Sequence, residues 1–255
     1  MTHGPGSCLG SYARPMTEPT TYQPLGPTTD PAEVTARLRM PMLDAMQTQR
    51  AVRRLITTEP VAHEVLLPLL ELSLKAPTSS NTQDWTYLVV EDWEQKARIG
   101  KVYGRLYRLF NPIVTRQAKG DAQELRNMAP GQWQAEHFAE IPVFVIPCYR
   151  TNMNHRPTGR PQIRVSSFYG SVYPTVQNLL LACRAVGLGA SLQTLPIWWQ
   201  PSIRKILDLP RDVRPVCIIP IGWAQGRYGP TQRTPIGEVV HLDHYGNQPF
   251  RDPVG

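Results

Sequence analysis

Ten residues between a helix and a strand narrow the choice of architecture most sharply. Ala76-Pro77-Thr78-Ser79-Ser80-Asn81-Thr82-Gln83-Asp84-Trp85 follows a leucine-rich helical pattern and precedes the β-type run Tyr87-Leu88-Val89-Val90. Proline ends the helix, and small hydroxyl residues then stand where backbone approaches a ligand closely. Asn81 and Gln83 add amides that both donate and accept hydrogen bonds. Such a loop suits a flat heteroaromatic ligand whose edge alternates donors and acceptors. Taken alone, the segment also reads as a plain helix-to-strand connection.

Helical and strand-like patterns alternate along the rest of the chain. Residues 1–30 read as an arm rich in Gly, Pro, Ser and Thr, ahead of one domain over 31–255. Asp30-Pro31-Ala32-Glu33 supplies an N-cap, a first-turn proline and a capping-box acid. It predicts a helix to about Arg39, with a second from Met42 to about Gln49. Val61–Lys75 is amphipathic, and Pro68 within it predicts a kink or a fresh first turn. Thr86–Glu91 is a strand, and 93–140 is mostly helical, with a break at Asn111-Pro112. Pro142–Tyr149 is nearly all apolar, as expected of a central strand covered on both faces. A basic loop over 150–165 leads into a strong helix, Phe168–Val186. Gly187-Leu188-Gly189 stops that helix and opens a third strand, through about Gln193. Arg204–Leu209 predicts a short helix, Val213–Ile221 a fourth strand, and the residues from Glu238 an extended tail.

The length of 255 residues is ample for a buried core. No apolar run approaches the ~20 residues of a membrane helix, and the N-terminus lacks the regions of a secretory signal. Cys8, Cys148, Cys183 and Cys217 are scattered without paired spacing, which predicts small buried hydrophobes in a reducing compartment and a cytoplasmic protein. The net charge of +7 is spread in short arginine groups. A dense basic stripe with interleaved aromatics is missing, so nucleic acid is not the expected partner. The chain holds no P-loop, no complete dinucleotide fingerprint and no nucleophile elbow. His241-Leu242-Asp243-His244 is poorly spaced for joint metal ligation.

Three distant segments look built for one ligand. Arg50-Ala51-Val52-Arg53-Arg54 places three guanidinium groups within five residues, too many for a core and suited to gripping a phosphate. A solvated helix end is the alternative. The second segment is the Pro77–Trp85 loop. The third, Tyr228-Gly229-Pro230-Thr231-Gln232-Arg233-Thr234-Pro235, is a basic turn after the last strand, and by itself reads as a surface loop.

On these residues the chain resembles the FMN-dependent nitroreductase family over approximately 42–246. The family's Arg-rich segment before Glu-Pro-Val matches Arg50–Val61. Its Ala-Pro-Ser-Ser-x-Asn-x-Gln-Pro-Trp loop and following strand match Ala76–Val90. Its Gln-Asn-Leu-Leu-Leu-Ala-Ala helix ending in Gly-Leu-Gly matches Gln177–Gly189, and its C-terminal pattern matches Pro220–Gly246. Thr78 replaces a serine and Asp84 a proline, and the Arg segment aligns in two registers. The resemblance implies an α+β three-layer sandwich around a mostly antiparallel sheet. It also implies a homodimer with FMN at the subunit interface.

Phosphate contacts then fall to Arg50, Arg53 or Arg54, and Arg233. Ring or ribityl contacts fall to Thr78, Ser79, Asn81 and Gln83, and backbone contacts to Leu192, Gln193 and Thr194. No side chain is expected to act as acid, base or nucleophile, because the flavin carries hydride from NADPH or NADH to a small aromatic acceptor. Arg53 or Arg54 is the candidate cation near flavin N1. The excursion 101–140 is expected to cap the site, with Tyr103, Tyr107, Phe110, Trp133 and Phe138 lining it or packing its own core. Basic residues of 150–164 are candidates for the 2′-phosphate of NADPH. Nitroaromatic or quinone reduction is the leading activity. Reductive dehalogenation, flavin cleavage and non-catalytic flavin storage are the alternatives.

Overall fold

A computed structural model describes residues 25–117, 122–151 and 161–251. Almost all of the expected arm, and most of the basic loop expected over 150–165, lie outside those residues. The strand β3 forms the middle of the molecule once the short β1 (Leu55–Ile56) and β2 (Trp85–Val90) are set beside it. Along β3 (Val143–Arg150), Val143 and Val145 point into one buried cluster, and Phe144, Ile146 and Cys148 into another. That alternation is the period of a strand buried on both faces. β2 pairs with one edge of β3, and β5 (Val213–Pro215) and β6 (Ile219–Ala224) with the other. β1 and β4 (Leu188–Ala190) both pair with β6, and every pairing is antiparallel.

Helices cover both faces of this sheet. α1 (Pro31–Arg37), α3 (His63–Ser73) and α6 (Pro161–Val186) bring Val34, Leu69 and Leu179 to the first cluster. α4 (Trp93–Gln117) and α7 (Gln200–Ile206) bring Ile99 and Ile203 to the second. α2 (Met42–Thr48) leads into β1, α5 (Ala122–Glu136) follows α4, and α8 (Ile236–Val239) follows the sheet. The result is an α+β sandwich with a helical layer on each side.

Several expectations are corrected. The break expected at Asn111-Pro112 is absent, since Pro112 lies inside the continuous α4; Pro68 lies inside α3. An interior proline costs a helix about 3 kcal/mol. Burying Val65, Leu66 and Leu69 contributes about 1.5–3 kcal/mol each, so packing prevails in α3. α6 begins seven residues before its expected start at Phe168. The capping-box acid Glu33 pairs with Arg37 and Thr28 instead of the cap backbone, while Asp30 accepts from Ala32 N–H.

The strand expected over Val213–Ile221 is two strands. Pro215 and Pro220 have no N–H to donate, and between them the ladder changes partner. Val216 N–H donates to Pro147 at 2.9 Å, whereas Ile218 exchanges both backbone bonds with Gln193. The tail expected to be extended from Glu238 begins as α8. Cys148, Cys183 and Cys217 are buried and free. No helix among the described residues is long and apolar enough to cross a membrane.

Candidate functional site

The site grows from the C-terminal end of α6, where two glycines let three chain segments meet. Gly187 ends the helix with φ +95°, in the left-handed region. Gly189 lies under the arginine segment: a Cβ there would stand 2.5 Å from Leu55 Cδ2 and 2.7 Å from Val52 Cγ1. That close approach lets Val52 N–H donate to the Ala190 carbonyl at 3.0 Å. Gln225 holds the next residues, its N–H donating to the Arg54 carbonyl and its Nε2 to that of Leu55.

The turn after β6 is fastened to the same place. Thr231 donates to the Gln47 carbonyl through both N–H (2.9 Å) and Oγ1 (3.2 Å). Arg184 of α6 donates through Nε to Thr48 Oγ1 at 2.7 Å and lies over the Tyr228 ring. Arg50, Arg53, Arg54 and Arg233 are therefore carried by neighbouring segments. Arg53 is half-buried; Arg50, Arg54 and Arg233 are exposed. None of the four pairs with a carboxylate among the described residues. Arg233 Nη1 donates only to the Gln232 carbonyl, at 2.7 Å. Arg53 is within electrostatic reach of Tyr103 and Tyr107. Burial pushes both phenols up, Tyr103 to about 12, and the Arg53 charge opposes the shift.

Leu192 packs against the first cluster, and the Thr194 carbonyl accepts from Ile197 N–H. Gln193 turns its side chain into a buried network that the sequence does not announce. Its Nε2 donates to Gln134 Oε1 at 2.6 Å and to Ser191 Oγ at 3.1 Å, and Gln134 Nε2 donates to Ser191 Oγ at 2.9 Å. Tyr103 OH reaches Gln193 Oε1 at 3.5 Å. Gln134 and Ser191 are fully buried. A polar residue in an amphipathic helix reads as solvent-facing, so no periodicity marks Gln134.

The Pro77–Trp85 loop is tightly shaped. Ser80, Asn81 and Gln83 have φ of 49°, 53° and 52°, which asparagine tolerates and the other two adopt at a cost in strain. Thr78 Oγ1 accepts from Gln83 N–H at 3.2 Å, and Gln83 Nε2 donates to Asn81 Oδ1 at 3.2 Å. Asp84 is buried, and its Oδ1 and the Trp85 Nε1 have no hydrogen-bond partner among the described residues. Ser79 N–H donates to Ser171 Oγ on α6 at 3.1 Å.

That last bond anchors the loop at a second point on α6. At 1.5 Å per residue, Ser171 and Arg184 lie about 20 Å apart along α6. The structure brings Arg50, Arg53, Arg54, Arg233 and the 192–194 segment to one end. It leaves Thr78, Ser79, Asn81 and Gln83 at a separate position on the same helix.

Of the expected aromatics, Tyr103 and Phe138 are core, 3% and 1% exposed, with ring centres 4.4 Å apart. Phe110 meets Trp198 edge-on, and Trp133 stacks on His137. Among the basic candidates of 150–164, only Arg150 has a described side chain, and it is exposed.

The family model "Nitroreductase family" matches residues 46–223. Among curated proteins the chain is similar to an iodotyrosine deiodinase of Daphnia pulex, 26% identical over 182 residues, covering 70% of this chain and 57% of that protein. An iodotyrosine deiodinase of Thermotoga neapolitana is 27% identical over 199 residues, covering 78% and 95%. Among solved structures, oxidized iodotyrosine deiodinase bound to FMN and 3-iodo-L-tyrosine matches with a TM-score of 0.60 at 25% identity, covering 79% and 98%. The chain spans a little over half the length of its Daphnia relative.

Proposed function

The chain belongs to the Nitroreductase family, and from that premise we propose that it is an FMN-dependent oxidoreductase carrying electrons from NAD(P)H to a small aromatic acceptor. The observation that supports this most is Arg53. It is a half-buried guanidinium with neither a hydrogen bond nor an ion pair among the described residues, in a group of four arginines none of which pairs with a carboxylate there. A partly desolvated cation without a partner carries a cost, and an anionic ligand offsets it. The donor set fits a phosphorylated flavin.

Bound FMN would supply the two-electron chemistry at its N5. Arg50, Arg54 and Arg233 would hold its phosphate. Arg53, the least exposed of the four, would stabilise negative charge on the reduced ring. The backbone of Leu192, Gln193 and Thr194 backs the ring, held in place by the Gln134–Ser191 network. Thr78, Ser79, Asn81 and Gln83 are anchored at a separate point on α6, and we assign them to the site of a second copy. A homodimer accounts for this separation, with Met42, Leu43 and Met46 of α2 at 71%, 60% and 56% exposure as apolar surface for the contact. The kinetic form proposed is ping-pong, with donor and acceptor using the site in turn. Nitroaromatics and quinones are the general acceptors proposed.

A second reading, reductive dehalogenation of a halogenated phenol, is favoured by the two curated relatives at 26% and 27% identity, both iodotyrosine deiodinases. The test is the absorbance spectrum of the full purified chain, followed by assays with each acceptor. A flavin spectrum with NADPH consumption on adding a nitroaromatic or quinone supports the first reading. Halide release from 3-iodo-L-tyrosine supports the second. A colourless protein that FMN does not reconstitute removes both.

A further inference from the structure

A half-open groove of about 790 Å³ runs between α4, the end of α5 and Phe138–Ala139, a volume in the range of small-molecule sites. Lys101, Arg105 and Arg108 line it. Their i, i+4, i+7 spacing puts them on one stripe of α4, spanning about 10 Å. None of the three pairs with an acid among the described residues. On the opposite wall Glu136 accepts from Gln132 Nε2 at 3.0 Å. That gives sugar hydroxyls an acceptor beside a row of cations.

Gly104 adds a separate observation. It lies mid-helix and lines the groove, and a Cβ added there would meet nothing within 4 Å. Mid-helix glycine costs about 0.5–1 kcal/mol relative to alanine, and neither packing nor a left-handed φ calls for it here. Its effect is to keep the groove wide. Tyr107 connects the groove to the proposed flavin site, since it lines the one and lies within electrostatic reach of Arg53 at the other.

Two or three negative charges within about 10 Å, a sugar between them and a ring are the features of a 2′-phosphorylated adenine dinucleotide. We propose that the α4–α5 groove is the subsite for the adenosine 2′-phosphate half of NADPH, with Lys101, Arg105 and Arg108 as its phosphate contacts. This places donor selection on α4, away from the 150–164 segment. The inference rests on the flavin reading for its role in turnover, but the binding step does not.

Calorimetric titration of the full chain with 2′,5′-ADP and with 5′-AMP tests it, and reads binding whether or not flavin is present. The expected result is that 2′,5′-ADP binds at least about tenfold more tightly. The double variant Lys101→Glu, Arg105→Glu should erase that preference, and Gly104→Leu should block both nucleotides while raising or preserving Tm. In turnover, kcat/KM for NADPH over NADH should fall by a similar factor in the double variant, with flavin content unchanged. Equal affinity for the two nucleotides, or a preference that survives both variants, would overturn the proposal. Failure of the flavin reading would show separately, as a colourless protein.

Discussion

The Arg184 guanidinium lies 4.1 Å from the centre of the Tyr228 ring while its Nε donates to Thr48 Oγ1. Arg184 is 3% exposed and Tyr228 4%. One buried side chain thus fixes the turn carrying Arg233 against the helix leading to Arg50. A charged hydrogen bond and a desolvated cation–π contact together are worth about 2–4 kcal/mol. Arg184→Met should lower unfolding free energy by that amount in urea titration, and flavin retained per chain should fall with it. Stability loss without flavin loss would separate the fold of this corner from the proposed phosphate grip.

Gly189 permits the close approach of Val52 and Leu55. Gly189→Ala places a methyl group against both side chains and strains the Val52–Ala190 bond, an overpacking cost of about 1–3 kcal/mol. Urea denaturation should show a lower midpoint with an unchanged slope.

Arg53 and Arg54 should differ although they adjoin. Arg53 is half-buried beside Tyr103 and Tyr107, while Arg54 is exposed and held by its carbonyl. Arg53→Ala should weaken flavin binding by about 10- to 100-fold, the effect of removing a partly desolvated charged contact, and lower the reduction potential. Arg54→Ala should cost about tenfold or less. Fluorescence titration with FMN separates the two, and equal effects would remove the inner role of Arg53.

Burial pushes the Cys148, Cys183 and Cys217 thiols up to about 12, with Tyr103 at about 12 also. In the unfolded chain these groups ionise near their ordinary values, about 8.5 for thiols and 10 for phenols. Between those values and about 12 the native state binds more protons, so stability falls as pH rises. Urea midpoints should hold through neutral pH and drop from about pH 9 upward. In a Cys8→Ser background, a thiol reagent at pH 8 should label the native protein only after unfolding.

Elements built from consecutive residues are legible in the chain itself. β3 announces itself because all of its inward positions on both faces are apolar, and α6 because its stripe repeats from Val172 to Val186. The 76–85 loop and Gly187-Leu188-Gly189 carry backbone requirements in their own residue types. β1 leaves no such mark because two residues show no period. The divided strand over 213–224 leaves none because its change of partner depends on Gln193.

The chain by itself determined its alternation of helices and strands, its apolar centre and its likeness to one family, and that likeness implied the α+β class. Only the tertiary structure decided that Arg53 turns inward and Arg54 outward, and that Gln134 is buried with Ser191. It alone anchored the arginine turn and the Thr78–Gln83 loop to α6 at points about 20 Å apart, Arg184 and Ser171. The physical reason is range. Those outcomes depend on side chains that meet across long separations in sequence, and no window of neighbouring residues contains both partners.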